Sequence, residues 1–271
     1  MTAAAHGIDP RLANTPLLLD PRAWPQVSAA IEALGSAPPA PRDRIGYDLV
    51  AGIAVIEVSG VLVNRLGDRR SWGFVTGYDG IRANLMDALD DPEAKAIAFL
   101  VNSPGGMVSG LPDLAALIRA ARGVKPLWAI LDDSAFSAAY WIASACDRVT
   151  VPETGGAGSI GVITALVDIS AMLKADGIAP HFITFGKRKA AELRASYTGM
   201  TADVLDALQA DVDRLGEMFV AAVARNRAVQ PGAIRRQEAA CFMGQLAVEA
   251  RLADEVCSAD AAFLALRASL A

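Results

Sequence analysis

Apolar residues recur with two different periods along this chain, and the changes between the periods predict its strands and helices. Runs rich in valine and isoleucine predict strands, whereas apolar residues spaced by three and four positions predict amphipathic helices. The predicted strands are Tyr47–Val58, Gly60–Val63, Ala96–Val101, Leu127–Leu131, Arg148–Val151, Ile160–Val167 and His181–Phe185. The predicted helices are Asp79–Leu89, Leu114–Ala121, Ser137–Ala145 and 201–227.

The order of these elements determines the predicted fold class. Strands separated by helices at this spacing predict an α/β fold with mostly parallel pairing, and the long helix over 201–227 predicts a helical C-terminal part. Residues 1–44 differ because prolines interrupt them repeatedly, and only Pro25–Leu34 has a helical pattern there. We therefore predict an N-terminal arm over 1–44 and one domain over 45–271.

Composition and charge narrow the class of protein. The 271 residues are 53% hydrophobic and 20% charged, which excludes a wholly disordered chain. The net charge is −5 and no basic block is present, so we expect no nucleic-acid partner. No apolar run is long enough to span a bilayer, and Asp9, Pro10 and Arg11 stand where a signal peptide needs an apolar core. The sequence thus predicts a cytoplasmic protein without a membrane anchor.

Cysteine and histidine are scarce. Cys146, Cys241 and Cys257 form an odd set without C-x-x-C spacing, so we expect neither a disulfide framework nor a metal site. The two histidines, His6 and His181, would have to serve any Ser-His-Asp or Cys-His mechanism. A Cys146–His181 thiol protease is disfavoured, because Cys146 lies in an apolar segment typical of a core.

Two segments that follow predicted strands carry groups suited to catalysis. The glycines of Asn102–Gly106 allow a sharp strand-to-helix turn with outward N–H groups, although such a segment is more often a plain turn. Ser137 is predicted at a helix N-terminus, where the helix dipole favours developing negative charge. The alternative is that Ser134 or Ser137 merely caps that helix.

Two further segments are rich in glycine or in basic residues. Gly155–Ile163 has no P-loop lysine, so it is either a flexible turn or a close-packed loop that holds the Ser159 hydroxyl in a site. Gly186–Lys189 offers lysines that could act as a general base if a desolvated setting kept one neutral. A solvated basic loop has the same composition, and both interpretations remain open at this point.

The order of these four segments resembles the S49 serine peptidases, the family of the signal peptide peptidases and the phage capsid-assembly proteases. The resemblance covers about Ile53 to Val256 and rests on Ser-Pro-Gly-Gly, Ser137-Ala-Ala-Tyr-Trp, Gly-Ser159-Ile-Gly-Val and Gly-Lys-Arg-Lys189. The stretch Phe242–Val256 is similar to the family's closing motif, except that Arg251 stands where the family usually has glycine. This departure concerns a local turn and not the site.

The resemblance implies a Ser-Lys dyad on a crotonase/Clp-like α/β spiral. Ser137 matches the family's nucleophile, and Lys189 matches its general base, with Lys187 as the competing candidate. Ser159 matches the auxiliary serine whose hydroxyl orients the lysine.

The remaining expectations from the resemblance concern the oxyanion hole and the partners. The N–H groups of Gly106 and Ala138 match the oxyanion hole, with Gly105 as the fallback. The substrate would be a polypeptide, no cofactor would be needed, and a homo-oligomer is expected.

Two biological roles are compatible with the resemblance. The stretch Asn14–Leu19 is similar to the start of phage and prophage head proteases, which favours a capsid-assembly (head maturation) protease with capsid or scaffold proteins as partners. A cytoplasmic signal-peptide-peptidase-like enzyme is the alternative. A crotonase-like acyl-CoA enzyme would leave Ser137, Ser159 and Lys189 unexplained, and an inactive scaffold would make no use of them.

Overall fold

The computed structural model describes residues 17–19, 46–71 and 74–270, which divide into two units. The sheet unit comprises the described residues of Leu17–Gly161 and Met218–Ala271, and the helical unit comprises Val162–Glu217. The arm predicted over 1–44, with its helix over Pro25–Leu34, lies outside the described residues except for Leu17–Leu19. The boundary at residue 45 therefore stays a prediction.

The described part of the sheet unit contains one ten-stranded sheet. Its strands are β1 (Leu17–Leu19), β2 (Asp48–Val50), β3 (Ile53–Val63), β4 (Val75–Gly77), β5 (Ala96–Met107), β6 (Leu127–Phe136), β7 (Arg148–Val151), β8 (Gly156–Gly158), β9 (Cys241–Met243) and β10 (Glu255–Val256). The main order is β10-β7-β6-β5-β3-β2, with β1 beside β5, β4 beside β3, β8 beside β6 and β9 beside β8.

Most of these strands pair in parallel. β5 lies between β3 and β6, and β7 and β10 continue the parallel order beyond β6. β4 and β8 are also parallel to their neighbours, whereas β1–β5, β2–β3 and β8–β9 are antiparallel pairs. The prediction of an α/β fold with mostly parallel pairing is confirmed.

The helices follow the strands in the predicted order. They are α1 (Tyr78–Asp90), α2 (Leu111–Ala120), α3 (Ala138–Ser144), α4 (Ser170–Ala175), α5 (Ala191–Thr198), α6 (Ala202–Arg227), α7 (Pro231–Arg235), α8 (Gln245–Glu249) and α9 (Ala259–Ala268). The four helices predicted from apolar spacing correspond to α1, α2, α3 and α6. Helices after residue 201 dominate the C-terminal part, as the sequence predicts.

The core of the sheet unit follows from the uninterrupted apolar runs of its central strands. Ile53 of β3, Phe99 of β5 and Leu131 of β6 have no exposed surface. Strands buried on both faces need such runs, because neither face is left for polar side chains. Ala262 and Leu266 of α9 join Ile53 in one buried cluster, so the last helix covers part of the sheet.

Arg122 stabilises the C-terminal end of α3. Its guanidinium donates hydrogen bonds to the carbonyl oxygens of Ala145 (2.7 Å), Ser144 (2.8 Å) and Cys146. Carbonyl groups at a helix end have no partner within the helix, so this arginine satisfies groups that would otherwise be unpaired. Asn226 of α6 donates to the Ser144 hydroxyl at 3.1 Å. The end of α3 opposite to Ser137 is thereby held by side chains from α6 and from the segment after α2.

A partly buried ion pair joins the end of α6 to the turn before β10. Arg227 donates two hydrogen bonds to the Asp254 carboxylate, at 2.6 and 3.0 Å, and the Val149 N–H donates a third at 2.7 Å. The Arg227 side chain is 8% exposed and that of Asp254 is 34% exposed. Burial raises the pKa of Asp254, but the Arg227 hydrogen bond and charge and the Val149 N–H outweigh it and lower the pKa below its ordinary value.

We expect Asp254→Asn to lower the free energy of unfolding by about 2 kcal/mol, since it removes a charge-assisted hydrogen bond. A lowered pKa in the folded state stabilises the protein above the unfolded value of about 4, and this contribution is lost as the pH falls through the folded value. Urea unfolding should therefore show the full difference from wild type above about pH 5 and a shrinking difference below about pH 4.

The matched control is Glu255→Gln. Glu255 pairs with Arg148 through side chains that are 49% and 40% exposed, so its loss should change the unfolding free energy by less than about 0.5 kcal/mol. Equal destabilisation by both substitutions would contradict a stabilising role for the Arg227–Asp254 ion pair. So would a loss of unfolding free energy in Asp254→Asn that does not change with pH.

Arg251, the residue at which the resemblance described above departs from glycine, occupies the turn after α8. It adopts a positive φ of 62°, and its carbonyl oxygen accepts a hydrogen bond from Arg227 Nε at 3.1 Å. A left-handed conformation costs a non-glycine residue about 1 kcal/mol. The turn is therefore retained with arginine, at the cost of local backbone strain.

Two predicted strands are absent from the described residues. Ile160–Val167 contains only an isolated bridge at Ile163, and His181–Phe185 forms no strand. Their β-branched and aromatic residues favour extended structure only where a neighbouring strand pairs with them. In the described chain Ile183 and Phe185 are fully exposed instead of being packed within a sheet.

The strands around the glycine segments are longer than predicted. Asn102–Gly106 does not form a strand-to-helix turn, because β5 continues through it to Met107. β6 likewise continues from Leu127 to Phe136, and the expected loop at Gly156–Gly158 is β8. Predictions based on apolar runs ended these strands too early, since the residues that follow the runs, Asn102–Gly106 and Asp132–Ala135, are small or polar.

The helical unit contains α4, α5 and the first part of α6. The Ile169 N–H donates to the Ser196 carbonyl at 2.8 Å, which joins the start of α4 to α5. Among the helices of the described ranges, none is long and apolar enough to cross a membrane.

Candidate active site

Ser137 occupies a sharp turn between β6 and α3. Its backbone has φ 53° and ψ −117°, a conformation that non-glycine residues rarely adopt. The Ser137 N–H donates to the Gly158 carbonyl at 2.8 Å, and the Ser137 carbonyl accepts the first hydrogen bond of α3 from Trp141 at 3.1 Å. Such strain persists only where the surrounding structure enforces it, and here the Ser137 side chain is fully buried at the start of α3.

The Ser137 side chain does not cap α3. Its hydroxyl makes no capping hydrogen bond with the helix, and it lies 3.4 Å from the Gly161 carbonyl oxygen instead. Ser134, the other capping candidate, lies within β6 opposite Gly156 of β8. The interpretation that the side chain of either serine caps the helix is therefore wrong. A capping hydrogen bond does not account for the strained backbone at Ser137.

Ser159 directly follows β8, beside the Ser137 turn. β6 and β8 pair Phe136 with Gly158, and each serine comes one residue after its member of that pair. Ser159 has φ 53° and is 6% exposed, and its N–H donates to the Ala240 carbonyl at 2.9 Å. The two serines that the sequence singled out are thus brought together by one pair of strands.

Gly106 lies on β5, opposite Leu62 of β3. A Cβ atom at Gly106 would come within 1.9 Å of the Leu62 carbonyl oxygen, so the position requires glycine. Gly105 has φ 111°, and its N–H donates to the Ser103 hydroxyl at 3.2 Å. α3 packs against β5, which brings the Gly-Gly segment and the helix that begins at Ala138 into one region of the sheet unit.

Ala138 is the first residue of α3 and is fully buried. The N–H groups of the first turn have no acceptor within the helix and are available to an anion. Two contacts hold α3 in place. Trp141 stacks on Phe219 with ring centroids 4.7 Å apart, and the Tyr140 hydroxyl donates a hydrogen bond to the Leu252 carbonyl at 2.8 Å. Burial raises the pKa of Tyr140, so this hydroxyl stays a donor.

Lys189 and Lys187 belong to the helical unit. Both side chains are exposed, and both lie in the turn that precedes α5. The Lys189 N–H donates to the Gly186 carbonyl at 3.2 Å, and the Lys189 carbonyl accepts from Arg194 at 3.5 Å. The pairing of Lys189 with Ser137 stays a prediction.

Cys146 behaves as a core residue. It is fully buried, its thiol lies 3.8 Å from the Ile142 carbonyl oxygen, and burial raises its pKa well above the ordinary range. A thiol that resists ionisation is a poor nucleophile. These observations argue against the thiol-protease alternative.

Sequence reasoning missed two contributors to this region. Gly161 supplies the carbonyl oxygen beside the Ser137 hydroxyl, and Leu17–Leu19 forms a strand against Gly105–Met107. The three consecutive leucines are a short apolar run that could have indicated a strand, but a run of three residues is too short for periodicity to identify.

The family model described as Peptidase family S49 matches residues 119–271 of the chain. The capsid assembly protease C of Escherichia phage lambda is 35% identical over 245 residues, which cover 90% of this chain and 55% of that protein. The head-tail preconnector protein GP5 of Enterobacteria phage P21 is 38% identical over 224 residues, 83% of this chain and 44% of that protein. Protease 4 of Haemophilus influenzae is 25% identical over 212 residues, 78% of this chain and 33% of that protein. The chain spans about half the length of the two phage relatives.

Proposed function

Because the chain belongs to peptidase family S49, we propose that it is a serine endopeptidase whose nucleophile is Ser137 and whose general base is Lys189. The observation that carries this proposal is the strained backbone of Ser137 at the start of α3, without a capping role. Backbone strain of this size persists where surrounding structure enforces it, and it concentrates at functional sites.

The proposed reaction is acyl transfer in two steps. Lys189 accepts the proton of the Ser137 hydroxyl while the serine oxygen attacks the peptide carbonyl carbon, and the resulting ammonium returns the proton to the leaving amine. Water then attacks the carbonyl carbon of the ester while Lys189 takes a proton from it. The bond from that carbon to the Ser137 oxygen breaks, the proton returns to the serine oxygen, and the carboxylic acid is released. Ser159 would orient the lysine, and its position beside the Ser137 turn supports that role.

The N–H groups of Gly106 and Ala138 are proposed to stabilise the oxyanion. Ala138 begins a helix, where the amide has no helical acceptor and the dipole favours negative charge. Gly106 is preferred to Gly105, because the Gly105 N–H already donates to Ser103. Removal of one such donor typically slows acyl transfer by about two to three orders of magnitude.

The proposed biological role is capsid assembly during phage or prophage head maturation. Two relatives at 35% and 38% identity bear the names capsid assembly protease and head-tail preconnector protein, which supports this role over a signal-peptide-peptidase-like one. The substrate would be a polypeptide such as a capsid or scaffold protein of the same phage. A cytoplasmic location and a homo-oligomeric assembly belong to the same proposal.

The proposal is tested by co-expression with candidate capsid and scaffold proteins taken from the genome that encodes this chain. Co-expression should shorten one of them at a defined bond, seen by intact-mass spectrometry, and co-expression with the Ser137→Ala variant should leave both at full length. Cleavage of denatured casein without cleavage of either phage protein would retain the peptidase and overturn the capsid role. Labelling by a peptide boronate or fluorophosphonate that requires Ser137 would independently support the nucleophile.

A further inference from the structure

The helix α3, which begins directly after Ser137, is buried along its whole length. All seven residues of α3 are buried, and Ala145 and Cys146 after it have no exposed surface. The carbonyl groups at the end of a helix have no donor within the helix, and at this buried end water does not reach them. They must therefore receive their hydrogen bonds from other parts of the chain.

Arg122 supplies these hydrogen bonds. Its guanidinium donates to the carbonyl oxygens of Ser144, Ala145 and Cys146, which end α3 and begin the turn after it. The side chain is 23% exposed, and burial together with the nearby charge of Arg119 lowers its pKa. The cation is thus kept at the C-terminal end of α3 against a desolvation cost, in a position that also favours the helix dipole.

Asn226 of α6 fixes the same end of α3 by a second route. Its side-chain amide donates to the Ser144 hydroxyl at 3.1 Å, and that hydroxyl donates to the Trp141 carbonyl at 2.8 Å. Asn226 is 7% exposed, and its Oδ1 accepts a hydrogen bond from Arg119 at 3.3 Å. The last turn of α3 is therefore held by two side chains from outside the helix, those of Arg122 and Asn226.

The other end of α3 carries the strained turn at Ser137. With φ 53°, this residue keeps its conformation only where neighbouring structure enforces it. α3 spans about 10 Å at a rise of about 1.5 Å per residue, so a tilt of about 6° around its C-terminal end would move Ala138 by about 1 Å. A displacement of about 1 Å at the reacting groups can slow catalysis by about 10²-fold.

We propose that Arg122 and Asn226 are positioning residues for peptide hydrolysis, because they fix the C-terminal end of α3 and thereby hold the Ser137 hydroxyl and the Ala138 N–H in place. The inference rests on the proposed function, in which this hydroxyl attacks the substrate and this N–H stabilises the oxyanion. The hydrogen bonds from the two side chains to α3 are confined to its C-terminal end. Both residues therefore act on the reaction through the helix.

The test compares peptide hydrolysis with the affinity of a transition-state analogue. Arg122→Met and Asn226→Ala remove the donors, and we expect kcat for a cleavable peptide to fall about tenfold or more while KM changes less than about twofold. The Ki of a peptide boronate, which forms a tetrahedral adduct with Ser137, should rise by a similar factor. A loss of folded protein would lower the apparent kcat but leave this Ki unchanged, so the Ki separates positioning from stability.

Asn84→Ala is the matched control. Asn84 is a buried asparagine of α1 that accepts a hydrogen bond from the Gly46 N–H at 3.2 Å and donates to the Arg69 carbonyl at 2.6 Å. Its replacement should lower the melting temperature, as Asn226→Ala does, but leave kcat and the boronate Ki unchanged. Arg122→Lys keeps a cation without the planar fork that reaches three carbonyl groups, so its kcat should lie between those of wild type and Arg122→Met.

The outcomes distinguish this inference from the proposed function. An unchanged Ki in Arg122→Met and Asn226→Ala, or an equal rise in Asn84→Ala, overturns the positioning role and retains the peptidase if wild type cleaves peptides. If Arg122→Met does not fold, Arg122→Lys and Asn226→Ala carry the test, and an unchanged Ki in both is equally decisive. A Ki that rises in the variants of a protein that cleaves no peptide would contradict the peptidase proposal and retain the positioning of Ser137. A wild type that neither cleaves peptides nor binds the boronate overturns both.

Discussion

Replacement of Ser137 by alanine is expected to reduce kcat/KM for peptide hydrolysis by at least about 10³-fold. Removal of the nucleophile from a serine hydrolase typically has an effect of this size or larger. The reason is chemical, since in the proposed mechanism the hydroxyl oxygen forms the covalent bond to the substrate. The fold should be unaffected, because the side chain makes no cap on α3 and only a 3.4 Å contact to the Gly161 carbonyl oxygen. Peptide cleavage and thermal melting, measured on the same preparation, separate the two effects.

Ser134→Ala is the control for the position of the nucleophile. Ser134 lies three residues earlier, within β6, and has the same side chain in the same unit. We expect this variant to retain activity. Loss of activity in Ser134→Ala together with an active Ser137→Ala enzyme would move the nucleophile and refute the assignment.

Substitution of Lys189 is expected to have the second large effect. Lys189→Ala removes the proposed base, and Lys189→Arg keeps a positive charge but cannot give up its proton at working pH. Both variants should therefore lose at least about 10²-fold in kcat/KM, the scale of general-base catalysis. The measurement is steady-state hydrolysis of a cleavable peptide by the two variants in parallel.

Lys187→Ala is the matched control, because Lys187 is an exposed lysine of the same turn. It should retain activity. An active Lys189→Arg enzyme would show that the lysine supplies charge and not proton transfer. A loss confined to Lys187→Ala would move the base by two residues.

The central elements could be predicted because one signal dominates them. The central residues of β5 and β6 are continuous apolar runs. Such a run is by itself sufficient to predict a strand that is buried on both faces. α1 and α6 have apolar residues at helical spacing over three or more turns. Motif order makes Ser137 and Ser159 the candidate site serines, and the pairing of β6 with β8 places them side by side.

The remaining features depend on contacts that are distant in sequence. β1 forms because β6 leaves one edge of β5 unpaired after Ser103. The residues Leu17–Leu19 themselves carry no sign of this unpaired edge. Ile160–Val167 has strand composition, but the described residues offer it no ladder beyond the bridge at Ile163. Ser137 and Lys189 belong to different units, and neither motif by itself specifies a pairing between them, so that pairing stays a prediction.

The pairing of β3 with β5 at Gly106 has a consequence for the substitutions that this position tolerates. The Leu62 backbone lies so close that even the methyl group of alanine would force the two strands apart. Any replacement of Gly106 therefore displaces backbone in the middle of the sheet, and its effect on stability is set by the size of the new side chain and not by its polarity or charge.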